Sequence, residues 1–168
     1  MDGNLINSFD PSTNSASFRG TLGTFVTGVT LITTDSPEGP VGIVANSFAS
    51  LSLDPPLVLW SPAKASKRFD LFARSRRFAI HVLASDQRDM CQAFVKSKTA
   101  FDTCSWEKSQ SGIPLVDGAL AIFECNLHAT HDGGDHDIVV GLVTRCRPRD
   151  SGTPLIFHSG KYGEVAET

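Results

Sequence analysis

The run Leu120-Ala-Ile-Phe-Glu-Cys-Asn-Leu-His-Ala-Thr130 leads into His131-Asp-Gly-Gly-Asp135 and then His136-Asp-Ile-Val-Val-Gly-Leu-Val-Thr-Arg-Cys-Arg147. Two long β-like stretches flank a glycine-rich tip, which is a hairpin signal. The rest of the chain follows the same logic. Residues 29–34 are β-branched and read as a strand. Asp35-Ser-Pro-Glu-Gly-Pro40 is dense in turn formers and leads to a second strand, 41–51. Asp54-Pro55-Pro56 breaks it, because proline has no N–H for a ladder. Residues 57–60, 76–83 and 155–158 read as further strands. Helices are expected over 15–25, with Ser15 as its N-cap, Phe18, Leu22 and Phe25 on one face and Gly28 beyond its end, over 63–73, and over 87–94 capped by Ser85 or Asp86. Residues 98–114 have weak periodicity and read as a long loop. Many antiparallel strands, few helices and no β–α–β alternation predict a mainly β fold, a closed or nearly closed barrel rather than a parallel sheet.

The chain has 168 residues, enough for one domain with its own core. Residues 1–14 are rich in Asn, Ser, Asp and Pro and are expected to form a flexible arm, leaving 15–168 as the folded domain. Fifteen Lys and Arg against eighteen Asp and Glu give a net charge of −3. That balance argues against a nucleic-acid binder, which needs a basic face. No apolar run approaches the roughly 20 residues of a membrane span. Residues 1–17 lack the basic-then-apolar pattern of an export signal. Cys91, Cys104, Cys125 and Cys146 include no C-x-x-C pair. They are expected as reduced thiols in a cytoplasmic protein.

Three segments could carry chemistry. In 42–59, Gly42, Ala45, Ser47, Ala49, Ser50 and Ser52 put small or hydroxyl side chains into a core strand. A strand tolerates that where a backbone or ligand comes close. Asn46 and Ser47 could meet the polar edge of a flat ring, or could form a polar bulge satisfied by water. Ser61-Pro-Ala-Lys-Ala-Ser-Lys-Arg68 gathers hydroxyl and cationic donors at a strand–helix junction, as a phosphate site does, or as a solvated basic face would. His128-Ala-Thr-His131-Asp-Gly-Gly-Asp135-His136 holds several metal-ligating residue types without the spacing of a zinc site, and no metal is expected. There Asp135 and His136 could face a polar cosubstrate at the mouth of a site, or simply decorate a hairpin tip. No G-x-S-x-G, Walker or G-x-G-x-x-G motif is present, so a nicotinamide cofactor would not sit in a Rossmann domain.

These segments combine into a pattern that resembles a known family. Phe18-Arg19, Leu22-Gly23-Thr24-Phe25 and Thr27-Gly28-Val29-Thr30 precede Ala45-Asn46-Ser47-Phe48-Ala49-Ser50-Leu51-Ser52-Leu53-Asp54-Pro55-Pro56. Phe78-Ala79-Ile80-His81-Val82-Leu83 and Gly134-Asp135-His136-Asp137-Ile138 follow. Over residues 15–162 the chain resembles the short-chain flavin reductases of two-component flavin-dependent monooxygenases. The resemblance implies a six-stranded antiparallel Greek-key FMN-binding split β-barrel with flanking helices, working as a homodimer. It implies reduction of FMN or FAD by NADH or NADPH, with reduced flavin diffusing to a separate monooxygenase. It assigns Val44, Ala45, Asn46, Ser47, Ser61, Ser66, Lys67, Phe78 and Ala79 to the flavin, and Asp135, His136 and Tyr162 to the nicotinamide nucleotide. It assigns no catalytic acid or base; His136 assists positioning. Two departures stand out: Val44 replaces a common Thr, and His81 replaces a common Asn. The rival expectations are a flavin carrier or sensor, or an oxidase that keeps its flavin, on the same barrel.

Overall fold

The computed structural model describes residues 8–166. Half of the expected N-terminal arm, residues 1–7, lies outside them. Its remainder is a short turn in which the Ser12 N–H donates to the Asp10 carboxylate at 2.8 Å. Asn14, rather than Ser15, caps the first helix, accepting from the Ser17 N–H at 3.0 Å.

The elements run α1 (Ser15–Leu22), β1 (Thr27–Gly28), β2 (Thr30–Ser36), β3 (Gly39–Ala45), β4 (Ala49–Leu53), β5 (Pro56–Trp60), α2 (Phe69–Ala73) and β6 (Arg77–Val82). Then come α3 (Arg88–Lys96), β7 (Trp106–Lys108), β8 (Pro114–Val116), β9 (Ala121–Gly133), β10 (His136–Pro148), β11 (Leu155–His158) and β12 (Lys161–Glu164). The β9–β10 hairpin forms as its sequence predicts, with Gly133 opposite His136 and a two-residue turn between them. Gly134 has φ +82° there, a conformation that favours glycine.

The main sheet is antiparallel, in the order β3-β2-β6-β9-β10-β5-β4. Its two edge strands, β3 and β4, are joined by only Asn46, Ser47 and Phe48. Three residues span at most about 14 Å between the flanking Cα atoms. The sheet must therefore roll until its edges nearly meet, which makes it a barrel split along β3 and β4. The expected fold class holds, with seven strands instead of six and no ladder closing the seam. The single strand expected over 41–51 breaks at that seam. The helix expected over 63–73 shrinks to α2, because residue 63 pairs with the hairpin instead: Ala63 bridges His136. The long loop over 98–114 contains β7 and the start of β8, and β12 was not anticipated.

Inside the barrel, Ile32, Trp60, Phe72, Phe78, Ile80 and Val139 form one core. A second core lies between sheet and α3, where Leu31, Leu83, Cys91, Phe94 and Phe101 meet. Gly42 belongs to this packing. A Cβ there would come 2.8 Å from the Phe94 ring, so its smallness admits a helix side chain. Gly141 leaves room for Phe78 in the same way, at 2.8 Å.

Candidate functional site

A cleft of about 190 Å³ opens where the barrel seam meets the β11–β12 hairpin. Val29, Val44, Val95 and Phe157 give it apolar walls, with Ala45, Asn46 and Tyr162 completing the lining. Val44, Ala45, Asn46 and Tyr162 were expected at the site from the sequence, and the fold brings all four together. Val29, Val95 and Phe157 were not anticipated. The signal for Phe157 was faint: it lies in a strand whose partner, β12, the sequence does not announce.

Backbone geometry fixes the cleft. Ala45 pairs with Thr30 at the end of the β2–β3 ladder, and the Thr30 hydroxyl donates to the Ala45 carbonyl at 2.7 Å. Beyond Ala45 the chain leaves the ladder, so the exposed Asn46 amide stands at the rim. Tyr162 packs edge-on against Phe157, with ring centroids 5.2 Å apart. Burial, with the neighbouring Cys91 thiol, pushes its hydroxyl up to about 12, so it is a neutral phenol at physiological pH. Thr27 sits opposite Phe157 in the β1–β11 pair, and its buried hydroxyl has no partner.

The seam continues into the second expected segment. The Ser61 N–H donates to the Ser47 hydroxyl at 2.8 Å, and that hydroxyl donates to the Ser61 carbonyl at 3.2 Å. From Ser61 the chain runs along the β9–β10 hairpin. The Asp137 N–H donates to the Pro62 carbonyl at 3.1 Å, and the Lys64 N–H to the Asp135 carbonyl at 2.9 Å. The Lys64 ammonium reaches Asp132, Asp137 at 3.4 Å and the Gly134 carbonyl at 2.7 Å. These carboxylates hold its pKa above the ordinary lysine value. The sequence placed Lys64 among possible phosphate ligands; it is committed to the hairpin instead. Arg68 is likewise engaged. Its guanidinium donates to the Phe94 and Val95 carbonyls at 2.6 and 3.0 Å, capping the C-terminus of α3, and to Gly42 at 3.2 Å. Ser66 is half-buried and Lys67 exposed, so these two keep the donors of the segment open.

At the hairpin tip the His136 ring meets the Asp135 carboxylate, Nδ1 to Oδ1 at 2.7 Å. That contact holds the Asp135 carboxyl below the usual carboxylate range. Asp135 and His136 do not line the cleft; the Ser47–Ser61 bridge and residues 61–64 connect them to its rim. Phe78 and Ala79 do not reach the cleft either. Phe78 is 2 % exposed inside the barrel, 6.3 Å from Trp60 between ring centroids, and Ala79 is fully buried on the other face of β6. Successive strand residues alternate faces, and here both faces are covered.

A cleft with apolar walls, an amide at the rim and a phenol inside suits a flat heteroaromatic ring with one polar edge. The comparisons with known proteins point the same way. The chain matches the flavin reductase like domain over residues 22–166. It is 53% identical over 153 residues to the FMN reductase (NADH) SmoA of Agrobacterium fabrum, covering 91% of this chain and 87% of that protein. It is 41% identical over 156 residues to HsaB, the reductase subunit of a flavin-dependent monooxygenase of Mycobacterium tuberculosis, covering 91% and 81%. The structure of the NADH:FAD oxidoreductase SgcE6 of Streptomyces globisporus superposes with a TM-score of 0.89 at 33% identity, covering 99% of this chain and 95% of that one. The chain belongs to the flavin reductase like family.

Proposed function

We propose that this protein is an NAD(P)H:flavin oxidoreductase that reduces FMN or FAD and supplies the reduced flavin to a partner monooxygenase. The observation that carries the reading is the cleft of Val44, Ala45, Asn46 and Tyr162 at the barrel seam, in a chain 53% identical to an NADH-dependent FMN reductase. A relative crystallised with NAD and FAD fragments has the same fold, with a TM-score of 0.88.

A bound flavin supplies a ring that accepts a hydride from the nicotinamide. The chain's own contribution is placement. Val29, Val44 and Phe157 offer an apolar face and exclude water from one side of the ring. Asn46 and the backbone around Ala45 meet its polar edge. Ser61, Ser66 and Lys67 provide hydroxyl and ammonium donors for a phosphate. His136, steadied by Asp135, offers a hydrogen bond to the nucleotide, and Tyr162 stays protonated as a donor beside it. No residue in the set is placed as an acid or base, and the reaction asks for none. A cleft this small and open suits a flavin that leaves after reduction.

A second copy of the chain fits the same reading. Phe18, Leu22, Phe25 and Val26 on and after α1, with Leu51 and Leu53 on β4, are large apolar residues left exposed, Leu53 by 96 %. Exposed large apolar residues that form a patch mark an interaction site, and a homodimer would cover them. Among the described residues no helix is long and apolar enough to cross a membrane. A cytoplasmic site of action suits the free cysteines.

The test is consumption of NADH or NADPH with excess FMN or FAD, each pair in turn. Oxidation that depends on added flavin is expected. A chain that binds flavin but oxidises neither nucleotide would be a carrier and would overturn the reading.

A further inference from the structure

We infer that the end of the barrel opposite the seam carries a separate anion site, built by Arg74, Arg76 and Arg77, for a compound with adjacent phosphate groups. The three arginines line one cleft of about 430 Å³ together with Thr34, Ser75 and Ser111. Thr34 lies five residues along from Val29 of the seam cleft, about 17 Å at the rise of a strand. The two clefts are therefore distinct.

The cationic groups here are unspent. Arg68, Arg147 and Arg149 each engage carbonyls or carboxylates elsewhere. Among the described residues no ion pair or side-chain hydrogen bond engages Arg74, Arg76 or Arg77. The one carboxylate lining the cleft, Asp35, is paired with Lys108 at 3.1 Å. Three arginines line this one concavity in a chain of net charge −3, a local excess of positive charge that favours an anion.

The backbone that presents them is fixed in advance. The Thr34 and Ser75 hydroxyls lie 2.6 Å apart, and both donate to the Arg77 carbonyl, at 2.8 and 2.6 Å. On the facing β7–β8 turn the Ser109 hydroxyl accepts from the Ser111 and Ile113 N–H groups at 3.2 and 3.1 Å. Both walls are thus held before any ligand arrives, which lowers the ordering cost of binding. Planar guanidinium groups recognise phosphate oxygens in pairs. Three arginines lining one cleft suit a pyrophosphate-type anion better than a single carboxylate. The source is either a free polyphosphate or the diphosphate arm of a nucleotide.

Titration calorimetry with inorganic pyrophosphate, and separately with ADP, tests this. The expected result is saturable pyrophosphate binding that weakens as ionic strength rises from about 0.01 to about 0.15 M, where the screening length falls from about 30 to about 8 Å. The triple variant Arg74→Gln/Arg76→Gln/Arg77→Gln should bind about tenfold or more weakly, with flavin-dependent NADH oxidation unchanged. All three side chains are exposed, so the variant should fold, as far-UV circular dichroism will verify. The single Arg76→Gln should show a smaller loss in the same direction. ADP binding tighter than pyrophosphate, and lost in the triple variant, identifies a nucleotide as the ligand of this cleft; equal binding identifies the phosphates alone. No saturable pyrophosphate binding, or binding lost in Lys67→Ala but kept in the triple variant, would overturn the proposal. So would a glutamate decapeptide that binds more tightly than pyrophosphate, since it would mark a protein-docking surface.

Discussion

The backbone N–H of Lys64 donates to the carbonyl of Asp135 at 2.9 Å, and the ammonium of the same residue reaches around the hairpin to Asp132 and Asp137. One residue thereby ties the segment that leaves the barrel seam to the tip that carries His136. Lys64→Met keeps the backbone bond and removes the side-chain clamp. The KM for NADH should rise about two- to fivefold, the scale of exposed ion pairs acting together, while the flavin Kd stays within about twofold. Steady-state kinetics and fluorescence quenching separate the two. Equal losses in both would show that the clamp supports the whole site rather than the tip.

Asn46 is exposed at the rim of the seam cleft, and its neighbours Ala45 and Ser47 hold the chain in place through Thr30 and Ser61. Asn46→Ala should therefore fold normally and weaken flavin roughly two- to tenfold, the loss of one net hydrogen bond. Fluorescence quenching of FMN and FAD measures it. An unchanged Kd for both would remove the amide from the flavin contacts.

The antiparallel barrel was legible because its longest hairpin carries both alternation and glycines, and those signals are local. The cleft was half legible. Val44, Ala45 and Asn46 sit in one run and Tyr162 came through the family resemblance alone, but Phe157 reaches them through β11, and proximity across more than a hundred residues leaves no local trace. Gly42 shows the limit of reading small residues as ligand clearance. Its space is taken by Phe94 of α3, a partner invisible without the fold. Lys64 shows another limit, since only the folded hairpin brings Asp132 and Asp137 to it.

Gly42→Ala tests that packing. The new Cβ would lie 2.8 Å from the Phe94 ring and 3.1 Å from Leu31, so helix and sheet must part slightly. Overpacking of this kind costs about 1–3 kcal/mol. Urea unfolding should show the loss, and Gly42→Ala/Phe94→Leu should recover part of it. A stability equal to that of the native chain would mean that α3 moves freely.

His81 is fully buried, with Nδ1 2.9 Å from the Leu31 carbonyl and Nε2 3.0 Å from the Val116 nitrogen. The neutral Nδ1–H tautomer satisfies both, donating to Leu31 and accepting from Val116. Burial lowers its pKa to about 4, although the Leu31 bond opposes the shift. The unfolded chain takes up this proton near pH 6.5 and the folded chain only near 4. The stabilisation is therefore complete above about pH 6.5 and is lost as the pH falls towards 4, by about 3 kcal/mol in all. His81→Leu should be less stable at pH 7 by about 1–3 kcal/mol, because it leaves the Val116 N–H unpaired. It should also lose most of the slope between pH 6.5 and 5. An unchanged slope in urea unfolding would place the acid sensitivity elsewhere.

His136 begins β10 directly after the Gly134–Asp135 turn, and Ala63 pairs with its backbone. Its place is thus set by the ladder and the bridge, not by the imidazole, and among the described residues the ring's polar partner is the exposed Asp135 carboxylate. Removing the ring should leave the hairpin intact. His136→Ala is expected to lower kcat/KM for NADH about tenfold to a hundredfold, the loss of about 1–3 kcal/mol when a ligand group is left unpaired. The flavin Kd should hardly change, because the ring lies outside the seam cleft. Asp135→Asn should give a smaller loss in the same direction, since it keeps a neighbour for Nδ1 but removes the charge. Unchanged kcat/KM in His136→Ala, or a matching loss of flavin affinity, would remove the residue from the nucleotide site.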